Sequence, residues 1–360
     1  MAETGLKLEC TAIGSLPHKD LDKAMKLVKE KFDKIPFCPQ LTRLNKNEDM
    51  IIQFTENMPS FFCDEESGKI YLETESDKFF EDIETFMTDY EEIVIDINSE
   101  LIEKYGLNCE YSTAYESFLE FIKKTKPAFA KSSITGPFTL STSLLDKYGR
   151  CAIYDETLRE IIVKTLSLKA LWQIKQIKKA SPDTKPIIFI DEPSMSQLGT
   201  SAFITISQVL VYNMFREISD IIKTHGGMSG IHCCGKCDWT VPLNTGIDII
   251  NLDAYSYSQN LSLFNKDLEK FLKAGKKIAW GVVPTLDKEA LEKADVDKLI
   301  AVFDKAVKYL TRKGINEKII IENSIITPSC GAGALTEELA EKAMSLTREL
   351  SDRLKLRYNN

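Results

Sequence analysis

The sequence predicts an α/β protein, a (β/α)8 TIM barrel with a long insertion between its second and third strands. Three observations predict it. Eight short, apolar, β-rich runs each end in a polar or glycine-containing turn, amphipathic helical stretches lie between them, and 360 residues accommodate one barrel with an insertion. Strand alternating with helix implies a parallel sheet, and eight units is the number that closes a barrel. An open doubly wound sheet is the alternative, and it requires one or two of the runs to be something other than strand.

In order, the runs are 8–14 (LECTAIG), 35–39 (IPFCP), 131–135 (KSSIT), 187–191 (IIFID), 228–232 (MSGIH), 247–252 (IDIINL), 278–283 (IAWGVV) and 318–322 (KIIIE). Helices are expected over 155–180, where Leu158, Ile161, Ile162, Thr165, Leu168 and Trp172 recur at helical spacing, and over 296–313 and 335–356. Residues 41–130 are too long for one connection and contain helical stretches near 77–89 and 114–124 and a hairpin pattern around 61–73. With no internal repeat or low-complexity tract, residues 1–360 read as a single catalytic domain, with 41–130 packed over the barrel mouth.

Composition narrows the function. A hydrophobic fraction of 43% excludes a wholly disordered chain. Lys and Arg number 46 against 54 Asp and Glu, a net charge of −8 with no basic run, which argues against nucleic acid or an anionic membrane as partner. The start, MAETGLKLEC, lacks a basic segment followed by an apolar core, and no stretch reaches roughly 18 uninterrupted apolar residues. The expected location is the cytoplasm. Nine cysteines, an odd number without dense regular spacing, are expected to be reduced, and some to bind metal.

In a parallel barrel the active site lies at the carboxyl ends of the strands, and the unusual residues fall there. Gly14-Ser15 follows the first run, Gln40 the second, Asp191-Glu192-Pro193 the fourth, His232-Cys233-Cys234 the fifth, Asp253 the sixth and Cys330 the eighth. Side chains two apart on an extended backbone share a face, so His232 and Cys234 can converge on one ion while Cys233 faces away. Cys330 and Asp253 would complete a tetrahedral site. The competing readings are chance spacing with burial of a small apolar cysteine, or a Cys234-x-x-Cys237 knuckle, for which no second CxxC exists.

Asp191 and Glu192 should diverge, one into the mouth and one in support; a strand-end turn or helix cap is the other reading. Gly14-Ser15 and Gly136-Pro137 are either sites of close backbone approach or turn chemistry. His18 and His225 read as surface residues, and Cys10, Cys38, Cys63, Cys109 and Cys151 as small buried hydrophobes.

TAIGSLPH, PFCPQLTRLNKNEDMI, SITGPFTL, FIDEPS, GIHCCGKCDW, IINLD, WGVV and TPSCGAG occur in one order. In that order they resemble the catalytic half of cobalamin-independent methionine synthase, a group within the uroporphyrinogen decarboxylase and corrinoid-linked methyltransferase superfamily. The resemblance implies Zn2+ on His232, Cys234, Cys330 and an acidic residue. That residue is Asp253 where the family usually has glutamate, with Glu322 or water as substitutes. It also implies Gly14 and Ser15 at the homocysteine carboxylate, Asp191 at its amino group, and Gln40 in place of a family glutamate. The catalytic assignment carried over is His232, Cys234, Cys330 and Asp191.

Because the chain opens at the catalytic half, it resembles the short core form. That form implies a methyl donor that is a methylcobamide such as methylcobalamin, often on a corrinoid protein, rather than a folate. Three rivals remain: methylation of another thiol such as coenzyme M, a uroporphyrinogen decarboxylase-like lyase, and a barrel that keeps structural zinc without catalysis.

Overall fold

A computed structural model describes residues 5–63 and 70–358. Two short antiparallel strands come first, β1 (Phe61–Cys63) and β2 (Ile70–Leu72), with Phe61 opposite Leu72, which is the hairpin expected within 61–73. Six parallel strands follow: β3 (Phe129–Thr135), β4 (Lys185–Asp191), β5 (Met228–Cys233), β6 (Ile249–Asp253), β7 (Lys277–Val283) and β8 (Ser324–Pro328). They are hydrogen-bonded in chain order into one curled sheet. Helices lie between successive strands, among them Glu156–Ala180, Gln208–Thr224 and Val296–Thr311, and Glu337–Tyr358 closes the described chain.

The first two predicted runs do not form regular strands. Residues 8–14 meet β8 through a single parallel bridge, Cys10 to Ile326, with Ile326 N donating to Glu9 O at 2.8 Å. Residues 35–39 meet β3 through a bridge from Phe37 to Lys131, and the two segments meet each other at Ser15 and Gln40. The cause is local. Pro36 and Pro39 have no N–H to give a ladder, and Leu8 stands at φ 58°, outside the extended region.

The eighth run is also displaced. Residues 318–322 belong to a short helix, Glu317–Glu322, because the Asn316 side chain caps it, accepting from Lys318 N at 2.8 Å. The strand is the next segment, SIITP. A three-residue apolar run has no periodicity that separates strand from buried helix, and the cap decided it.

Alternation along the strands sorts their side chains. Phe129, Ile187, Phe189, Met228, Ile249, Ala279 and Ile325 form one apolar cluster inside the curl, joined by Leu6 and Ile35. Their neighbours Ala130, Ile188, Ile190, Ile231, Ile250, Ile278, Trp280 and Ile326 face outward into the core shared with the helices. Gly230 leaves room for the interior ring of Phe189, to which an added Cβ would approach within 2.3 Å. Continuing the inward parity toward the carboxyl ends gives Ser133, Asp191, His232, Asn251 and Thr327. A polar layer thus lies on an apolar floor.

The segment between the second run and β3 ends at 128 rather than 130, since Phe129 and Ala130 already pair with Lys185 and Pro186. Its opening residues reach the carboxyl ends of the strands: Thr135 Oγ1 donates to Met50 O, and Gln40 Nε2 to Gln53 Oε1 at 2.6 Å. Its helices, Asp77–Ile95 and Tyr115–Thr125, pack along Glu156–Ala180.

Several single-residue expectations are corrected. His18 is fully buried near Glu341, and His225 is half-buried, its ring bonded to Ile221 O and Val94 O. Each has a neighbour distant in sequence, Glu341 for His18 and Val94 for His225, which the polar residues beside them in the chain did not signal. Cys109 is exposed and Cys38 and Cys151 are half-buried, while Cys10 is buried as expected. The side chain of Cys63 lies outside the described residues. No helix among the described residues is long and apolar enough to cross a membrane.

Candidate metal centre

Three donor atoms converge at the carboxyl end of the sheet. The ligand atoms of His232, Cys234 and Cys330 all lie within 4.8 Å of one another. Zinc–sulfur and zinc–nitrogen bonds of about 2.3 and 2.0 Å set tetrahedral donors roughly 3.5–3.8 Å apart, so this spacing fits one ion. Cys233 faces the outer core instead, as alternation requires.

The hydrogen bonds around His232 fix which nitrogen is free. Both amide protons of Asn251 are committed, Nδ2 donating to Ala279 O at 2.7 Å and to Thr327 Oγ1 at 2.8 Å. Its oxygen therefore faces the imidazole and can only accept, so His232 Nδ1 carries the proton across their 2.5 Å contact. His232 Nε2 is left buried with no partner. An orphaned lone pair beside two thiols is what a borderline-soft cation needs, and the donor set fits zinc.

The neighbouring Cys330 thiol holds Cys234 well below the usual thiol range, and the same proximity together with burial pushes Cys330 up. Cys330 is fixed by Thr285, whose Oγ1 donates to Cys330 O at 2.9 Å and accepts from Cys330 N at 3.0 Å.

The acids divide as strand geometry dictates. Asp191 points inward, in register with His232, and its Oδ1 is buried and unpartnered. Burial pushes its carboxyl above the usual carboxylate range, opposed by the nearby Lys131 and His232. Glu192 turns the other way and caps the helix Pro137–Ser143, accepting from Phe138 N at 2.8 Å, Thr139 N at 2.9 Å and Thr139 Oγ1 at 2.6 Å. An added Cβ on Gly136 would lie 2.0 Å from its carboxyl carbon, so glycine there follows from close approach.

Burial pushes the Glu192 carboxyl up to about 7 from an ordinary value of 4.5. The folded chain then binds the proton more tightly than the unfolded one, so this contribution to stability is complete below pH 4.5 and lost as pH rises through about 7. Its size is on the order of 3 kcal/mol. Urea unfolding at pH 5 and pH 8 should show the decline in the wild-type chain and a shallower one in Glu192→Gln.

Asp253 stands outside the three-donor cluster. Its Oδ1 accepts from Ser256 N at 2.9 Å and caps the helix Ala254–Leu261, which occupies one carboxylate oxygen. Burial pushes its carboxyl up, and it remains near enough to Cys234 for that charge to add to the effect. Glu322 is excluded as a substitute ligand. It is exposed, paired with Lys318, and lies before β8, at the opposite end of that strand from Cys330.

Ser15 sits against the loop after Cys330. Its Oγ accepts from Gly333 N at 3.3 Å, its carbonyl accepts from Ala332 N at 2.9 Å, and an added Cβ on Gly331 would meet Ser15 Oγ at 2.1 Å. Gly14 lies under the Gln40 side chain, whose Oε1 would be 3.1 Å from an added Cβ. Gln40 Nε2 is occupied by Gln53.

Sequence reasoning missed Asn251, Gln53, Thr285 and Lys131. Asn251 was recoverable, since it shares inward parity with His232 on the adjacent strand. Lys131 is fully buried, donates to Ile13 O and to Ser133 Oγ at 3.0 Å, and is brought down to about 8 by burial. Replacing Asn251 with leucine should leave the tautomer of His232 unset and weaken zinc binding roughly 10–100-fold in a chelator competition.

No family model and no curated protein matches the chain. Among solved structures it is similar to a B12-independent methionine synthase from Shewanella sp. W3-18-1 in complex with selenomethionine. The identity is 16% and the TM-score 0.45, over 68% of this chain and 67% of that one.

Proposed function

We propose that the chain is a zinc-dependent thiol S-methyltransferase that methylates homocysteine to methionine on a (β/α)8 barrel, the two bridged segments serving as its first two staves. One observation carries the reading: His232 Nε2, buried and unpartnered, faces Cys234 and Cys330 at ligand spacing. Zinc bound there favours the thiolate form of an added thiol at neutral pH, where a free thiol of pKa about 8.5 is largely protonated.

The chain's own residues would do the rest. His232, Cys234 and Cys330 hold the ion, with Asp253 or water as the exchangeable fourth donor. Asp191 takes the acceptor's ammonium on its unpartnered Oδ1. Gly14 and Ser15, beside the loop that carries Cys330, receive its carboxylate, and the Gln40 oxygen lies next to them. This fixes the sulfur relative to the donor's methyl group and supplies proximity. Residues 41–128 would cover the mouth through their opening residues.

As donor we propose a methylcobamide, free or on a corrinoid protein. The sulfur–carbon bond forms as the carbon–cobalt bond breaks, the electron pair stays on cobalt, and the thiol proton passes to solvent. Methylcobalamin with homocysteine should give methionine and a cob(I)alamin spectrum. Turnover with methyltetrahydrofolate alone would refute the donor. A strong preference for coenzyme M would refute the acceptor, because Asp191 suits an ammonium where a sulfonate calls for a cation.

A further inference from the structure

At the other end of the sheet, the starts of β4 to β7 and the turns that lead into them line a half-open pocket of about 500 Å3. Its wall carries five lysines, Lys185, Lys223, Lys273, Lys276 and Lys277, and one acid, Asp248. Such a cluster is notable in a chain of net charge −8. We infer that this pocket is a binding site for a small phosphorylated molecule that carries two or more negative charges.

The acid in the wall is already engaged. Asp248 Oδ2 accepts from Ser229 N at 3.0 Å and Ser229 Oγ at 3.2 Å. Lys277 is only 4% exposed, and its Nζ donates to Asn323 Oδ1 at 2.7 Å, which sets that amine within the wall rather than on a freely solvated surface. Lys276 is held below the ordinary lysine range by burial, against the nearby Asp248 charge, and Lys223 adds repulsion. A bound polyanion offsets that repulsion.

Lysines near helix carboxyl termini have a simpler role, since they offset the helix dipole. That accounts for Lys223, in the last turn of Gln208–Thr224 and bonded to Gly246 O at 3.1 Å, and for Lys273, which pairs with Glu269 at 2.7 Å. Lys185 and Lys277 instead open β4 and β7, and Lys276 immediately precedes β7. Met228 and Gly227 supply an apolar part of the wall, and the volume is in the range of small-molecule sites. A seven-residue strand spans about 20 Å, so a ligand here does not touch the metal centre.

Isothermal titration of the zinc-loaded protein with inorganic phosphate and with a hexose bisphosphate, at constant ionic strength, tests the site. Saturable binding at one per chain is expected, at least tenfold tighter for the bisphosphate. Lys223→Gln/Lys276→Gln should weaken it at least tenfold, whereas Lys26→Gln/Lys29→Gln on the solvent face of the helix Leu21–Lys31 should leave it unchanged. Asp248→Asn, which keeps an acceptor for Ser229, should tighten it severalfold. Heats that do not saturate, or that persist equally in the first double variant, would overturn the site.

Discussion

Replacing Cys234 or Cys330 with alanine is expected to reduce bound zinc from about one ion per chain to near zero and to abolish methyl transfer. Loss of a hydrogen-bonded partner behind a ligand costs roughly 10–100-fold, and loss of a ligand itself should exceed that. Removing Cys234 leaves only two of the three converging donors. Cys233→Ala is the matched control. Its side chain packs in the outer core, so it should lose some stability and keep its metal. Zinc content by atomic absorption, read beside circular dichroism, separates a lost ligand from a lost fold. A Cys234→Ala or Cys330→Ala chain that retains zinc and turns over would end the metal-centre reading.

The second large effect is expected at Asp191. Asn at this position keeps the shape and removes the charge, so an ammonium that met a carboxylate would meet a neutral amide. Charge-assisted hydrogen bonds contribute about 1.5–3 kcal/mol, and breaking a buried ion pair costs more, so kcat/KM for homocysteine should fall on the order of 100-fold. The same thiol without the amine, 4-mercaptobutanoate, should react equally with both proteins. Equal losses on both substrates would move Asp191 from recognition to support of the metal site. Zinc-edge absorption with and without homocysteine gives a complementary readout, since entry of the acceptor should add one sulfur to the coordination sphere.

Much of the site was legible because strands impose a period of two. Alternation turned His232 and Cys234 inward and Cys233 outward, and it divided Asp191 from Glu192. Elsewhere the pattern was silent. A run of isoleucines reads the same as strand or helix until Asn316 caps it, and two prolines convert an apparent strand into a bridged segment. Asp253 shows a third kind of limit: two functions compete for one carboxylate, and the helix cap has taken one of its oxygens.

Local pattern was enough to set the alternation of strand and helix, the positions of β3 to β7, and which of their side chains face the interior of the sheet. These follow from backbone sterics and spacing that act over a few residues. Only the folded chain decided that Cys330 meets Cys234, that Asn251 commits the imidazole proton, and that His18 is buried. Those outcomes depend on how far the sheet curls and on which donors and acceptors it brings within reach, and no local pattern encodes a distance across the fold.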